Sequence, residues 1–334
     1  MLTATLIGGH QGIAPLFLIL IALFIEAYVG EARAVFRIIP HPVRIIGGAI
    51  AALDRKLNRE QRSELDRVIR GGLAVIIVLV PCALIGIGVA WLAQHHGFGW
   101  IVELFLLVSL LAQRNLYDHV SAVGKALREN GLPAGRTAVA HLVGRDVQKL
   151  DEHGVARAAI ESAAENFSDG VVAPIFWYAV FGFPGLLVYK AVNTMDSMIG
   201  HTTPKYRAFG KAAARLDDLL NLIPARLSGL LFVLAAAFTP TASPWRAVKT
   251  MLRDSGRHRS PNAGWPESAV AGALGLALAG PRHYPGQHVQ DAWMGDGRAR
   301  ATDKDISRTL YLYTVAGFLN AIWLAALAVI HVTW

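Results

Sequence analysis

GGLAVIIVLVPCALIGIGVAWLA, residues 71–93, decides how this chain has to be read. No side chain in it is charged, and the run exceeds the ~20 residues an α-helix needs to cross a bilayer's hydrocarbon layer. Leu310–Val332 has the same length and character, Ile13–Val29 is a shorter version, and Trp100–Ala112 reaches span length only with its apolar flanks. Of the 334 residues, 54% are apolar and 17% charged, against about a quarter charged in soluble domains. Lipid is the natural sink for that excess. The reading is an all-α polytopic membrane protein with several transmembrane helices, counted most simply as a single membrane-embedded domain over residues 1–334.

Charge orients the chain. Residues 30–70 carry nine Lys or Arg and residues 94–99 none, which places the first loop in the cytoplasm and the second outside. No basic stretch precedes Ile13 and no small-residue cleavage pattern follows it, so the first apolar run is expected to be an anchor rather than a cleaved signal. Asp54–Arg70 reads as one charged helix with a sparse apolar stripe, Leu53, Leu57, Leu65 and Val68. The formal charge of +8 comes from basic residues spread over several loops, which argues against a nucleic-acid partner. The only cysteine, Cys82, lies inside an apolar run, so neither a disulfide framework nor a cysteine-rich zinc site can be built.

Residues 171–188 are apolar again, but Phe181-Gly-Phe-Pro-Gly185 interrupts them. Gly and Pro there predict two half-helices forming a re-entrant hairpin, with polar cytoplasmic helical loops on both sides. Leu227–Phe238 and Ala269–Ala279 are too short to span and read as buried or interfacial helices.

Four polar clusters interrupt this background. In the first, Gly144-Arg-Asp146 leads into a helix ending at Glu165-Asn-Phe-Ser-Asp-Gly170. Arg157 and Glu161 on that helix read as an i,i+4 pair on a solvated face, whereas Glu165, Asn166 and Asp169 precede an apolar run, where charge is costly. The second, Tyr189-Lys-Ala-Val-Asn-Thr-Met-Asp-Ser-Met198, sets Asn193, Asp196 and Ser197 on one helical face with Lys190 below. The third runs from Phe209 to Arg226. Its Asp217 and Asp218 near arginines suit a magnesium–phosphate site, and a salt-bridged helix explains the pattern equally well. Asp217 and Asn221 are spaced to pair within it. The fourth, Ser260-Pro-Asn-Ala-Gly-Trp-Pro-Glu267, opens a helix with Arg257 and Arg259 close by, a place where an anion is well received. No P-loop is present. Gly131-Leu-Pro-Ala-Gly135-Arg-Thr has the wrong spacing and lacks the lysine, so a nucleotide must be held by other means.

Taken in order, His41-Pro-Val-Arg-Ile-Ile-Gly47, Gly144-Arg-Asp146, Glu161 through Gly170, Tyr189 through Met198, Ala214-Arg-Leu-Asp-Asp218 with Asn221 and Pro224-Ala-Arg226, and Ser260-Pro-Asn-Ala-Gly264 resemble the adenosylcobinamide-phosphate synthase (CobD/CbiB) family of cobalamin biosynthesis. Gly30-Glu-Ala32 departs from the Gly-Asp-Pro expected there, and Val147 replaces a commoner threonine. The resemblance implies an inner-membrane ligase with its active site facing the cytoplasm. Such an enzyme joins (R)-1-amino-2-propanol phosphate, or a close analogue, to adenosylcobyric acid with ATP and Mg²⁺, beside other membrane-bound nucleotide-loop assembly enzymes. On that reading Lys190, Asn193, Asp196 and Ser197 are catalytic, with Asp196 the candidate base or a member of the metal shell. Arg145, Arg215 and Arg226, with Asn166 and Asn262, hold the nucleotide and phosphates, and Glu165, Asp169, Asp217 and Asp218 hold magnesium. The corrinoid is expected on a shelf of Trp177, Tyr178, Trp245 or Trp265, residues that headgroup anchoring explains as well. A small-molecule transporter is the alternative, suggested by intramembrane Glu26 and Glu103; a membrane scaffold leaves the clustered charges unexplained.

Overall fold

The computed structural model describes residues 13–30, 35–38, 40–144, 146–284, 287–289 and 291–333. Among these the chain is overwhelmingly helical. Helices α1 (Pro15–Val29), α2 (Pro42–Leu57), α3 (Glu64–His95) and α4 (Gly99–Leu110) come first, followed by α5 (Gln113–Val139) and α6 (Glu152–Phe167). A π-helical turn, Ser168–Val172, leads into α7 (Ala173–Ile199). Then come α8 (Lys211–Leu220), α9 (Leu222–Ala236), α10 (Pro244–Asp254), α11 (Gly264–Leu274) and α12 (Asp303–Thr333). Between α11 and α12 lie two short antiparallel pairs, β1 (Leu278–Ala279) with β4 (Trp293–Met294) and β2 (Arg282–Tyr284) with β3 (Gln287–Val289).

Four helical stretches are long and apolar enough to cross a bilayer: Glu64–His95, Gly99–Val139, Glu152–Ile199 and Asp303–Thr333. Helices α8 and α9 add a fifth if they count as one bent span. The protein is a polytopic, all-helical membrane protein. The chain divides into two compact units, Met1–Ala112 with Ala173–Asn221 and Leu324–Trp334, and Gln113–Val172 with Leu222–Trp323.

The break expected near Gly182 is present. Gly182 adopts φ 65°, ψ −158° inside α7, a left-handed region that a Cβ disfavours. Pro184, which lacks an N–H and has a fixed φ, opens the next half-helix. The turn is tight, because a Cβ on Gly185 would sit 2.5 Å from the Trp177 carbonyl oxygen eight residues earlier. Gly131 and Pro133 repeat the device inside α5, with φ 73° and ψ −168° at the glycine. The stretch that superficially resembles a phosphate loop is thus a helix corner.

One helix expectation needs correction. Asp54–Arg70 is two helices joined at Asn58–Ser63. The Ser63 hydroxyl accepts from the Asp66 N–H and starts α3, a capping preference strong enough to divide an otherwise helical run. At the corner Asn58 donates to Asp54 Oδ1 (2.8 Å) and to the Lys205 carbonyl (3.1 Å), while buried Arg67 donates to Asn58 Oδ1 (3.1 Å) and to the Lys205 carbonyl. Arg67 therefore ties this corner to the segment after α7.

In the first unit His41 caps α2, its Nδ1 accepting from the Val43 N–H (3.2 Å), and its Nε2 lies 2.9 Å from the Ser109 carbonyl oxygen. Buried Tyr178 donates to Glu103 Oε1 at 2.7 Å, which supplies an intramembrane carboxylate with a partner. The core of the second unit gathers around Phe167, whose ring lies 4.8 Å from Phe232 and 5.2 Å from Tyr313. Helix α11 is buried along its whole length apart from Trp265, as expected of an apolar segment too short to span.

Candidate active site

In the first unit the last turns of α7 and the whole of α8 build one polar group. Their approach depends on a glycine: a Cβ on Gly210 would lie 1.7 Å from the Ile199 carbonyl oxygen, so the start of α8 rests against the end of α7. That contact brings Asp217 beside Asn193 and Asp196. The Asn193 amide donates to the Asp217 carboxylate. Asn221 donates to Asp217 Oδ2 (3.0 Å), the i,i+4 pair expected from the sequence, and its own Oδ1 accepts from the buried Tyr189 hydroxyl (2.9 Å). Asp217 Oδ1 is buried and accepts no hydrogen bond from the described residues. The Asp218 charge is felt by both Asp196 and Asp217, and the Asp196 charge by Asp217, with Arg215 beside Asp218.

Lys190 is buried one turn before Thr194, whose hydroxyl donates to the Lys190 carbonyl. The exposed Ser197 hydroxyl donates to the Asn193 carbonyl at 2.9 Å, so its proton is engaged within its own helix. Three carboxylates, an ammonium, a guanidinium and two amides thus meet on two adjoining helices.

The second unit holds a cavity of about 310 Å³ lined by Glu161, Glu165, His258, Arg259, Glu267 and Asp291 among others. Arg259 Nε lies 2.7 Å from Asp291 Oδ1. His258 Nδ1 accepts the Ser260 N–H (3.1 Å), and its Nε2 lies 3.7 Å from Oε1 of buried Glu267. Ser260 Oγ accepts from the N–H groups of Asn262 (3.2 Å) and Ala263 (3.3 Å), which makes Ser260-Pro-Asn-Ala263 a side-chain-capped turn into α11. Asn262 is buried in it.

Other candidates in this unit are placed as follows. Glu165 and Asn166 are exposed at the end of α6, and Asn166 donates to the carbonyl and hydroxyl oxygens of Ser162. Asp169 is half-buried in the π-helical turn, a geometry enriched at functional positions. Arg226 is exposed, donates to the Leu222 carbonyl and lies over the Trp265 ring, 4.5 Å from its centroid. Arg145 lies outside the described residues.

Two expectations are overturned. Arg157 and Glu161 are not a solvated ion pair. Glu161 is 2% exposed and accepts from the Ala279 N–H (2.8 Å), and Arg157 donates to the Ala299 carbonyl and covers Trp293. The segment between α11 and α12, from Ala279 to Ala299, returns over α6 and claims both side chains, a tertiary contact with no local signature. Tyr178 cannot form part of an open shelf, because it is buried and bound to Glu103. Trp245, by contrast, is 75% exposed.

Sequence reasoning also passed over Asp254 and Asp305 of the second unit. Asp254 is 0% exposed, pairs with Arg253 (2.7 Å) and Arg257 (3.2 Å), and accepts the Gly295 N–H (2.8 Å). Burial by itself raises its pKa, but these donors win and hold the carboxyl below the usual range. Asp305, 1% exposed, accepts from Arg298, Arg308 and both the N–H and hydroxyl of Thr302.

With this geometry in place, comparison with known proteins is decisive. The family model for the CobD/CbiB protein matches residues 19–313. The chain belongs to the CobD/CbiB family. It is 49% identical to a cobalamin biosynthesis protein CobD from a Sinorhizobium species, over 92% of this chain and 98% of that protein. The corresponding protein of Rhizobium meliloti is 47% identical over 90% and 93%, and that of Rhodobacter capsulatus 44% over 92% and 96%. No solved structure matches. CobD/CbiB membership assigns the chain to cobalamin biosynthesis.

Proposed function

We propose that the protein is an ATP-dependent amide ligase that joins the amine of (R)-1-amino-2-propanol phosphate, or a close analogue, to the propionate carboxylate of adenosylcobyric acid, giving adenosylcobinamide phosphate. The family supports the pathway. The observation that carries the chemistry is the α7–α8 group, in which three carboxylates lie within electrostatic reach of one another with Arg215 beside them, Lys190 is buried on the same helix as Asp196, and Asp217 keeps one buried oxygen that accepts no hydrogen bond from the described residues. A carboxylate is a poor electrophile until one of its oxygens becomes a leaving group. In the proposed sequence that oxygen attacks the γ-phosphorus of ATP, ADP departs, the amine adds to the acyl carbon, and phosphate leaves. Asp196 takes the proton from the attacking ammonium.

Lys190 and Arg215, with Arg145 and Arg226, hold phosphate charge as preorganised cations do in phosphoryl transfer. Asn193, Asn166 and Asn262 orient polar groups of the substrates, and Ser197 sits on the same face as Asn193. Magnesium is implied by the nucleotide, and the α7–α8 residues fit it. Hard carboxylate oxygens are the right donors, and Asp217 Oδ1 is an orphaned buried oxygen. Among the described residues no group of three or more His, Cys, Asp or Glu is placed to hold an ion alone. That agrees with a cation that takes one or two carboxylates and completes its shell with water and phosphate. Asp217 and Asp218 would hold it; when bound, it neutralises phosphate charge. The reaction is assigned to the cytoplasmic face of the inner membrane, where other enzymes of nucleotide-loop assembly can dock.

The test is purified protein with adenosylcobyric acid, the amine phosphate, ATP and Mg²⁺, followed by mass spectrometry of the corrinoid. A new amide with consumption of ATP is expected. Unchanged corrinoid with intact ATP overturns the ligase and favours transport.

A further inference from the structure

The second unit contains a larger cavity outside this site, a groove of about 720 Å³ between α5 and the first half of α12. The two helices run antiparallel. Arg128 faces Asp303 (3.9 Å), a Cβ on Gly124 would meet Ile306 (3.3 Å), and Tyr313 donates to the Gln113 carbonyl (2.8 Å).

The groove is chemically graded. Lys125 and Arg128 line the end beside Ile306, Ser121 and Leu310 lie between, and Val315 and Phe318 line the other end. On α12 the last charged residue is Arg308, and none of Asp, Glu, Lys or Arg occurs from Thr309 to Val332. The apolar end therefore belongs to the part of α12 that suits hydrocarbon, and the cationic end to the headgroup level, where such side chains reach phosphate. From Ser307 to Phe318 the groove follows about 17 Å of helix, at ~1.5 Å per residue. That length takes a headgroup and the first carbons of a chain.

The cationic end has donors to offer. Lys125 and Arg128 approach Glu129 and Asp303 only at 3.9–4.0 Å, beyond hydrogen-bond reach, and neither carboxylate lines the groove. The Ser121 hydroxyl makes no hydrogen bond to the described residues, and Phe318 is 61% exposed.

We propose that this groove is a specific site for an anionic glycerophospholipid, with its phosphate on Lys125, Arg128 and Ser121 and an acyl chain along Leu310, Val315 and Phe318. Charge complementarity selects the anionic headgroup, since the lining carries two cations and no carboxylate. The site is independent of the ligase reading.

The test uses the full-length protein in nanodiscs of phosphatidylglycerol or phosphatidylcholine, released into the gas phase, with retained lipid counted by native mass spectrometry. Wild type is expected to retain phosphatidylglycerol about 25-fold over phosphatidylcholine, since each of the two basic side chains near a lipid surface contributes about fivefold. Lys125→Gln with Arg128→Gln should bring the ratio close to one. Val315→Trp, which fills the apolar end and leaves both cations, should reduce retention of both lipids. Equal retention of the two lipids by wild type overturns the proposal, as does an undiminished preference in the double variant. Glycerol phosphate without acyl chains is the remaining arm. If it stabilises the detergent-solubilised protein as much as the lipid does, the groove is a simple phosphate site and the lipid assignment fails.

Discussion

Asp217 in the first unit and Asp254 in the second are both acids largely removed from water, yet their surroundings differ in kind. Asp254 has two arginines and a backbone N–H on its oxygens. Asp217 has two amides on its carboxylate, other carboxylates within electrostatic reach, and a buried oxygen that accepts nothing from the described residues. A buried anion is tolerated when its neighbours compensate it. Asp254 is compensated by the fold itself and behaves as structure. Asp217 is undercompensated, which suits a residue whose remaining partner arrives with a substrate. Burial of a carboxylate does not mark a site; incomplete satisfaction does.

The contrast can be broken most sharply by removing charge without changing shape. Asp217→Asn is expected to lower amide formation by about 10²- to 10³-fold, the range for losing preorganised electrostatic stabilisation of a transferring phosphoryl group, while thermal unfolding in detergent changes little. Normal turnover by both Asp217→Asn and Asp218→Asn would remove the metal assignment. Asp254→Ala should do the reverse. Stability is expected to fall by about 1–2 kcal/mol, because the part-buried Gly295 N–H loses its acceptor while Arg253 and Arg257, both well exposed, lose a partner that water largely replaces. A variant as stable as wild type would show that the saturated cluster contributes nothing.

The pH dependence sharpens the same difference. The Asp254 carboxyl titrates lower in the folded protein than in the unfolded chain, so its contribution is complete above the unfolded value near 4. It is lost as pH falls through the still lower folded value. Unfolding followed from pH 5 to pH 3 should show wild type losing its advantage over Asp254→Asn across that window; parallel curves would contradict the assignment. A smaller effect is expected at the edge of the first group. Tyr189→Phe removes one buried hydrogen bond to Asn221, at a cost of about 1 kcal/mol in stability, with a modest fall in activity as Asn221 loosens its hold on Asp217. Unchanged unfolding and turnover would mean that the relay positions nothing.

Much of the fold could be read directly. The charge-free run at residues 71–93, its counterpart at residues 310–332 and the Gly-Phe-Pro interruption of α7 each appear where elementary geometry puts them, because length, charge and backbone freedom are local properties. The candidate site was legible in residue type and order. Asn193, Asp196, Asp217 and Asn221 lie on two adjoining helices, and the i,i+4 spacing of the last two yields the pairing it predicts. Glu161 and Arg157 were misread because their partners, Ala279 and Ala299, are more than a hundred residues away and offer only backbone atoms. The division of Asp54–Arg70 turned on one capping serine and a buried arginine.

By itself the sequence determined that this is a helical membrane protein of a cobalamin-biosynthesis family, since apolar length and ordered motifs need no third dimension. Only the tertiary structure decided which acids are quenched by arginines and which keep an oxygen in reserve. It also showed that Gly210 lets α8 close on α7, and that a graded groove runs between α5 and α12. The reason is physical. Partition into lipid sums over neighbouring residues, whereas the state of a buried charge depends on the few atoms that folding brings to it from elsewhere in the chain.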